Sequence, residues 1–522
     1  MAMKRIYIFA LAMGTMLPTL AQETYENAKI AGNDLNGTAR YVGMGGAMEA
    51  LGADISTIST NPAGVGLFRK SWVGGSVSVV AQQDAASFAS GKKTTFSFDQ
   101  AGFVYAARTG MNSYVNFAFN YHKSRNFNYI LSAADGLTNA SQNKLTYAKA
   151  KNGLLYEVDS KTLVPNFDAP YAQCNQLDDI YARNLNYDAV DKTWYAYPVD
   201  EYTLNRAHRG YISEFDFNLS GNINDRVYLG LTIGFYDVNY KHYGEYDEYA
   251  NGRQEIRVAD DRTIDGSGFD VKAGIIFRPI EESALRFGLS VASPTFYSLK
   301  SSNNTYVTGY NNNQTMMVNN NDSYKFKLYT PWKFGVSAGH TLGQMLALGL
   351  SFEYADYSSM DTRKITGSRY DWYYDRYSES SSSDNEMNRH TEQTLKGVAT
   401  IKVGAELKPD PVMAVRLGYN YLSPMYEENG FKDGTLASQG SYISSATDYT
   451  NWKGTHRVTC GFGYSFGPLN LSAAYQCSIT NGNFMPFMNY VDNADAADDN
   501  VANTVSVSQK RHQVMATIGY TF

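Results

Sequence analysis

The chain has 522 residues, with 45 basic against 51 acidic side chains and a net charge of −6, a balance that leaves no electrostatic footprint for a nucleic-acid partner. Its mean hydropathy of −0.39 looks soluble, yet barrel strands give only alternate positions to lipid, so an average conceals them. No run of about 18 apolar residues follows the N-terminus, which excludes a helical membrane protein, and 42 Tyr, 26 Phe and 5 Trp suit the two aromatic girdles of a barrel.

In chain order, Lys4 and Arg5 precede an apolar stretch from Ile6 to Leu17, and Pro18-Thr19-Leu20-Ala21 offers small residues for cleavage after Ala21. Residues 1–21 therefore read as a signal peptide, with the mature chain starting at Gln22. No Cys follows that position, so a lipoprotein anchor is not expected. Residues 22–69 differ in character: Gly32, Gly37, Gly43, Gly45, Gly46, Gly52, Gly64 and Gly66 let a chain pack where space is tight, as in a barrel lumen. The other reading of this stretch is a disordered periplasmic leader. Gly43-Met44-Gly45-Gly46 is no dinucleotide loop, because no strand precedes it and Met48 stands at the third glycine position.

Residues 70–522 carry fourteen stretches of alternating apolar and polar residues, running from about Ser71 to Phe522. In the last, Val514, Ala516, Ile518, Tyr520 and Phe522 fall on one face, and Gln513, Met515, Thr517 and Thr521 on the other, a separation that only period-two geometry produces. The short gaps are Thr109–Asn112, Ile223–Arg226, Pro279–Ala284, Leu342–Met345, Lys408–Val412 and Gly467-Pro468, each a hairpin in length and chemistry. The long gaps are about Asp84–Thr94, Ser132–Gly210, Gly244–Gly268, Ser298–Pro331, Ser358–Leu395, Pro424–Thr455 and Ile479–Arg511. The fold expected is all-β: a transmembrane antiparallel β-barrel of about 14 strands, with an N-terminal hatch in its lumen, tight turns on the periplasmic side and long loops outside the cell. Phase places Glu214, Asp216, Asn218, Lys272, Arg286, Lys333, Glu353 and Arg416 toward the lumen. Three cysteines make no disulfide framework; Cys460 and Cys477 share the lipid-facing phase of Phe462, Tyr464 and Tyr475 and read as small hydrophobes.

The strings Gly37-Thr38-Ala39-Arg40, Gly45-Gly46-Ala47, Ala53-Asp54-Ile55-Ser56 and Asn61-Pro62-Ala63-Gly64 resemble the hatch of FadL/TodX-type outer-membrane transporters, including its Asn-Pro-Ala signature. Later segments resemble that family's strands in order: Phe287 to Pro294, Thr330-Pro331-Trp332, Phe352 to Tyr357, Arg416 to Tyr421 and Gly461 to Tyr464. The likeness spans roughly residues 37–522 and lapses across several outer loops. It implies a barrel plugged by its own N-terminus that imports long-chain fatty acids or other hydrophobic compounds, captured by outer loops, passed to a lumen pocket, and released by hatch movement and a lateral gap in the wall. On this resemblance Asn61, Pro62 and Ala63 form the hatch element beside the wall; a capped turn entering the first strand is their plainer role. Capture falls to the loops after strands five and seven, with Tyr243, Tyr246 and Tyr249 in one and Tyr306, Tyr310, Met316, Met317 and Val318 in the other. Those loops depart from the family in being rich in Tyr and Asn and poor in Leu and Phe. Arg286, Lys333 or Arg416 could take a ligand carboxylate, against a default role in bracing wall to plug.

Enzyme signatures are absent: the seven His lack metal-binding spacing, no Gly-x-Ser-x-Gly elbow occurs, and the barrel cysteines have no evident His partner. Asp492, Asp495, Asp498 and Asp499 could hold Ca²⁺ but read more simply as a solvated acidic cluster. The expectation is a monomeric, non-enzymatic outer-membrane channel for a hydrophobic small molecule, without cofactor, metal or nucleic acid and surrounded by outer-membrane lipid. The alternative is a structural or secretion-associated barrel that scaffolds a partner protein, with a filled lumen and an apolar loop surface; a barrel lipase would need Ser, His and acid converging near the outer interface.

Overall fold

The computed structural model describes residues 23–145, 186–188, 193–196, 198–310, 316–373, 376–433, 446–491 and 496–522. The expected signal peptide, Cys174, much of the Ser132–Gly210 excursion, and Asp492 and Asp495 lie outside the described residues.

Fourteen antiparallel staves close into a barrel. β1 (Trp72–Gln83), β2 (Thr94–Arg108) and β3 (Tyr114–Asn126) follow one another by hairpins, and β4 (Tyr129–Gly136) prolongs the third stave past a break at Phe127. β5 (Asn186–Asp188) and β6 (Thr193–Tyr195) form a separate small hairpin. β7 (Glu201–Ile223), β8 (Val227–Ala250) and β9 (Arg253–Phe277) are the longest, at 23, 24 and 25 residues. The seventh stave is divided into β10 (Arg286–Ala292) and β11 (Phe296–Gly309), and the eighth into β12 (Met316–Tyr329) and β13 (Lys333–Leu342). Both breaks fall at a proline, Pro294 and Pro331, which has no N–H to give the ladder. The ninth consists of β14 (Leu346–Asp356) and β15 (Asp361–Asp371); β16 (Arg376–Ser383) turns back on β15, and helix α3 (Asn385–Thr394) leads to β17 (Gly397–Leu407). β18 (Met413–Leu422), β19 (Tyr449–Phe466), β20 (Leu469–Met485) and β21 (Val505–Thr521) complete the ring.

The seam joins β1 to β21 over twelve residue pairs, from Trp72↔Thr521 to Gln83↔Lys510. With the ring closed, pleat alternation becomes an inside and an outside. On β21, Val514 and Ile518 are 59% and 56% exposed while Met515 between them is 1% exposed. Phe96, Phe217, Leu231, Leu350 and Leu417 extend the outer apolar surface around the ring. Such a continuous belt is solvated by hydrocarbon and penalised by water at about 25 cal/mol per Å². Cys460 is exposed on this belt and Cys477 partly so, both as free thiols. Glu214, Asp216, Asn218, Lys272 and Arg416 are buried on the inner side.

Two of the expected long loops are strand instead. Gly244–Gly268 is the top of the β8–β9 hairpin, which turns at Asn251 (φ 51°) and Gly252 (φ 76°). Two consecutive left-handed residues form the turn whose twist matches a hairpin, and Asn-Gly is its usual sequence. Ser298–Pro331 likewise holds β11 and β12, paired from Phe296↔Tyr329 to Gly309↔Met316. Polar residues on both faces of these strands disguise them, because above the membrane neither face meets lipid. Tyr243, Tyr246, Tyr306 and Tyr310 therefore stand on or at the ends of rising strands rather than in free loops.

Near the middle of the belt, Leu417→Arg is expected to cost about 2–4 kcal/mol in reversible unfolding from lipid vesicles, with the folded, heat-modifiable band still formed at low denaturant.

Candidate functional site

Residues 23–68 lie inside the ring and, Asn33 apart, are buried or partly buried. At the far end, α1 (Thr24–Ala31) is capped by the Glu23 carboxylate, which accepts from the Tyr25 amide. It packs beside α3, with Thr24 Oγ1 2.9 Å from both His390 Nδ1 and Thr391 Oγ1. The Tyr25 ring stacks on Tyr426 with centroids 5.2 Å apart, and its hydroxyl donates to Asn451. Glu26 pairs with Lys29 (2.7 Å) and Arg262 (3.5 Å). Burial would push the Glu26 carboxyl up; those cations outweigh it and hold it well below the usual range.

Lower down, Asp34 is encircled by Arg125, Arg511 and Arg457, at 3.4, 3.7 and 3.9 Å, and accepts from the Asn126 amide at 2.9 Å. Burial again acts to raise this carboxyl, and the three guanidiniums lower it on balance. Next, α2 (Ala39–Gly43) begins with Thr38 as its cap. Arg40 forms a two-pronged contact with Glu406, which also takes Arg416 Nε at 2.7 Å, and Glu49 meets Lys402 at 2.7 Å. Removing one partner from such buried pairs leaves an uncompensated charge, a loss of about 3–5 kcal/mol.

Backbone contact supplies the rest of the fit. Gly339, Gly349, Gly404 and Gly418 are directly paired across β13, β14, β17 and β18, and residues 44–51 lie on this row. A Cβ at Gly349 would stand 1.9 Å from the Ala47 carbonyl oxygen, one at Gly404 2.3 Å from that of Met44, and one at Gly418 2.2 Å from the Gly45 nitrogen. A second patch, Gly230, Gly274 and Gly288, receives Asn61 and Pro62: a Cβ at Gly274 would be 2.0 Å from Asn61 Oδ1. Asn61 Oδ1 accepts from the Ala63 amide, capping the short 3₁₀ turn Pro62–Leu67. Asn61, Pro62 and Ala63 thus sit against the wall and also cap a turn.

Above the row lies a cavity of about 250 Å³. One side is aromatic: Phe127, turned inward by the break in the third stave, meets Tyr240 edge-on at 4.9 Å, and Tyr129 stacks on His208 at 4.1 Å with Trp452 edge-on to it. Another side carries Asp34 with Arg125, Arg457 and Arg511. Lys333 lines the cavity, whereas Arg286, which donates to the Leu51 carbonyl, and Arg416 do not. Tyr243, Tyr246, Tyr306 and Tyr310 are also elsewhere: Tyr243 lies over Phe88, and Tyr246 is buried with its hydroxyl on Glu248. Met316 and Met317 pair with Gly309 and Thr308 through their backbones; their side chains lie outside the described residues. Phase alone points Arg457 and Arg511 inward, but nothing in the sequence shows that they converge on Asp34.

No family model and no curated protein matches the chain. Among solved structures, a Pseudomonas aeruginosa FadL homologue is 11% identical, covering 94% of this chain and 99% of its own with a TM-score of 0.50. The Ralstonia pickettii toluene transporter TbuX (11%, 94% and 99%, 0.47) and the P. putida toluene transporter TodX (10%, 94% and 99%, 0.47) are also similar. At these identities the likeness is one of fold.

Because Gly349 needs no unusual backbone angle, Gly349→Leu should leave the barrel closed while lifting residues 44–51 off the wall. Limited proteolysis of the folded protein is expected to cut the N-terminal segment at least about tenfold faster than in wild type.

Proposed function

We propose that the protein is an outer-membrane channel for the uptake of hydrophobic small molecules, with long-chain fatty acids as the substrate class and residues 22–69 as its hatch. The observation that carries this reading is the cavity, which sets an aromatic wall against three guanidiniums. An apolar tail finds in Phe127, Tyr129 and Trp452 the solvent it lacks in water. A carboxylate head finds Arg125, Arg457 and Arg511, geometrically suited to paired N–H···O contacts. Asp34 occupies that position now, so an incoming carboxylate would compete with a carboxylate of the hatch itself. Displacing Asp34 would free the middle of the segment, which couples ligand arrival to hatch movement.

The fold shared with the FadL homologue supports the assignment to an outer membrane. The short hairpins and the Trp72 and Phe522 ends would then face the periplasm, with the long β8–β9 and β11–β12 hairpins outside. A scaffold for a partner protein would need no open volume at the core of its lumen, and the cavity favours transport over that reading.

Native mass spectrometry of the gently extracted protein should detect a co-purifying fatty acid or similar hydrophobe, lost in Arg457→Ala with Arg511→Ala; a stoichiometric protein partner with an empty lumen would argue against uptake. Deleting residues 22–69 while keeping the signal peptide is expected to give a folded barrel of raised conductance in planar bilayers. Unchanged conductance would sink the hatch assignment.

A further inference from the structure

A cluster of ionisable groups on the cavity wall takes no part in holding the N-terminal segment. His122 on β3 is paired in register with Glu214 on β7, and Asp216 lies two residues on, which in a strand puts both carboxylates on one face. Asp270 and Lys272 reach the same point from β9. Between them, on β8, stands Gly234: a Cβ there would be 2.5 Å from Asp270 Oδ1, 2.8 Å from Lys272 Nζ and 3.1 Å from Asp216 Oδ1. The missing side chain is the space into which the cluster converges.

The hydrogen bonds divide each carboxylate in two. Lys272 Nζ donates to Glu214 Oε1 and, at 2.9 Å, to Asp216 Oδ1. The other oxygens face the imidazole: Glu214 Oε2 is 3.3 Å from His122 Nε2, and Asp216 Oδ2 is 3.6 Å from His122 Nδ1. Asp216 is fully buried, and its Oδ2 accepts no hydrogen bond. A neutral imidazole has one donor and one acceptor, and with His122 Nδ1 3.4 Å from the Asn120 amide nitrogen its one N–H serves Glu214, leaving Asp216 Oδ2 without a donor. Three carboxylates against one ammonium also leave two formal negative charges in a buried place.

We propose that His122, Glu214 and Asp216 form a binding site for one divalent transition-metal cation. The three ligand atoms lie within 4.8 Å of one another. Metal bonds of about 2.0–2.1 Å in tetrahedral geometry separate neighbouring ligand atoms by roughly 3.3 Å, as Glu214 Oε2 is from His122 Nε2; Asp216 Oδ2, now nearest the other ring nitrogen, has to swing in to join them. One imidazole with carboxylates suits zinc rather than calcium or magnesium, which bind through oxygen. A divalent charge cancels the excess of two. Lys272 then orients the carboxylates from behind, holding the oxygen of each that the metal does not use. His122, Glu214, Asp270 and Lys272 line the large cavity, which provides the entry path.

The test uses Zn²⁺ on the full barrel in detergent, free of a histidine tag and stripped with chelator, with bound metal counted by mass spectrometry after equilibrium dialysis. One Zn²⁺ per folded chain is expected, with affinity at least about tenfold weaker in Asp216→Asn and in His122→Gln, and unchanged in His456→Ala on the outer wall. Gly234→Ala, whose Cβ would crowd Asp270 Oδ1, Lys272 Nζ and Asp216 Oδ1, should weaken binding as well. Heat-modifiability on gels verifies that each variant is folded. Wild-type protein that holds no stoichiometric zinc, with the cluster served by Lys272 and protons alone, would overturn the site. So would zinc retained equally by Asp216→Asn and His122→Gln.

Discussion

In hydrocarbon an unpaired backbone amide or carbonyl costs several kcal/mol, so a sheet can stand in a bilayer only if its first and last strands pair. The β1–β21 seam meets that requirement over twelve residue pairs. Once it forms, every other property of the wall follows. Alternate residues are committed to lipid or to lumen, charge is admitted on one side only, and a one-residue slip anywhere would invert both sets.

A closed ring of this size still has to be filled, and it is filled by the chain's own N-terminal segment. Contact is made at two levels. Rows of glycine let backbone lie on backbone, as at Gly349 and Gly404, while a few ion pairs, Glu26–Arg262, Arg40–Glu406 and Glu49–Lys402, fix the register. The first level sets shape and the second specificity: a glycine track accepts many backbones, but a buried charge accepts only its partner. Asp34 differs from the other anchors. One carboxylate among three guanidiniums leaves the cations in excess, on the wall of a cavity.

The lumen is thus electrostatically divided. Positive charge gathers around Asp34, and negative charge around Glu214, Asp216 and Asp270, and Phe127 and Tyr240 line the same cavity. Such a division offers different surroundings within one space.

Much of this was legible without coordinates. Period-two alternation from Ser71 to Phe522, punctuated by turn residues, determines strand number, the lipid-facing set and the inward phase of Glu214, Lys272 and Arg416, because pleat geometry is local and reads directly from residue order. Even the Asn251-Gly252 turn was open to reading, and it was hidden only because the strands flanking it stand above the lipid and lose their apolar alternation. What the tertiary structure alone decided is convergence. Arg125, Arg457 and Arg511 meet at Asp34, and His122 meets Glu214 and Asp216 over Gly234, across strands far apart in the chain. Closing a ring sets which staves face one another and at what height, and those distances depend on stagger and curvature that no single segment encodes.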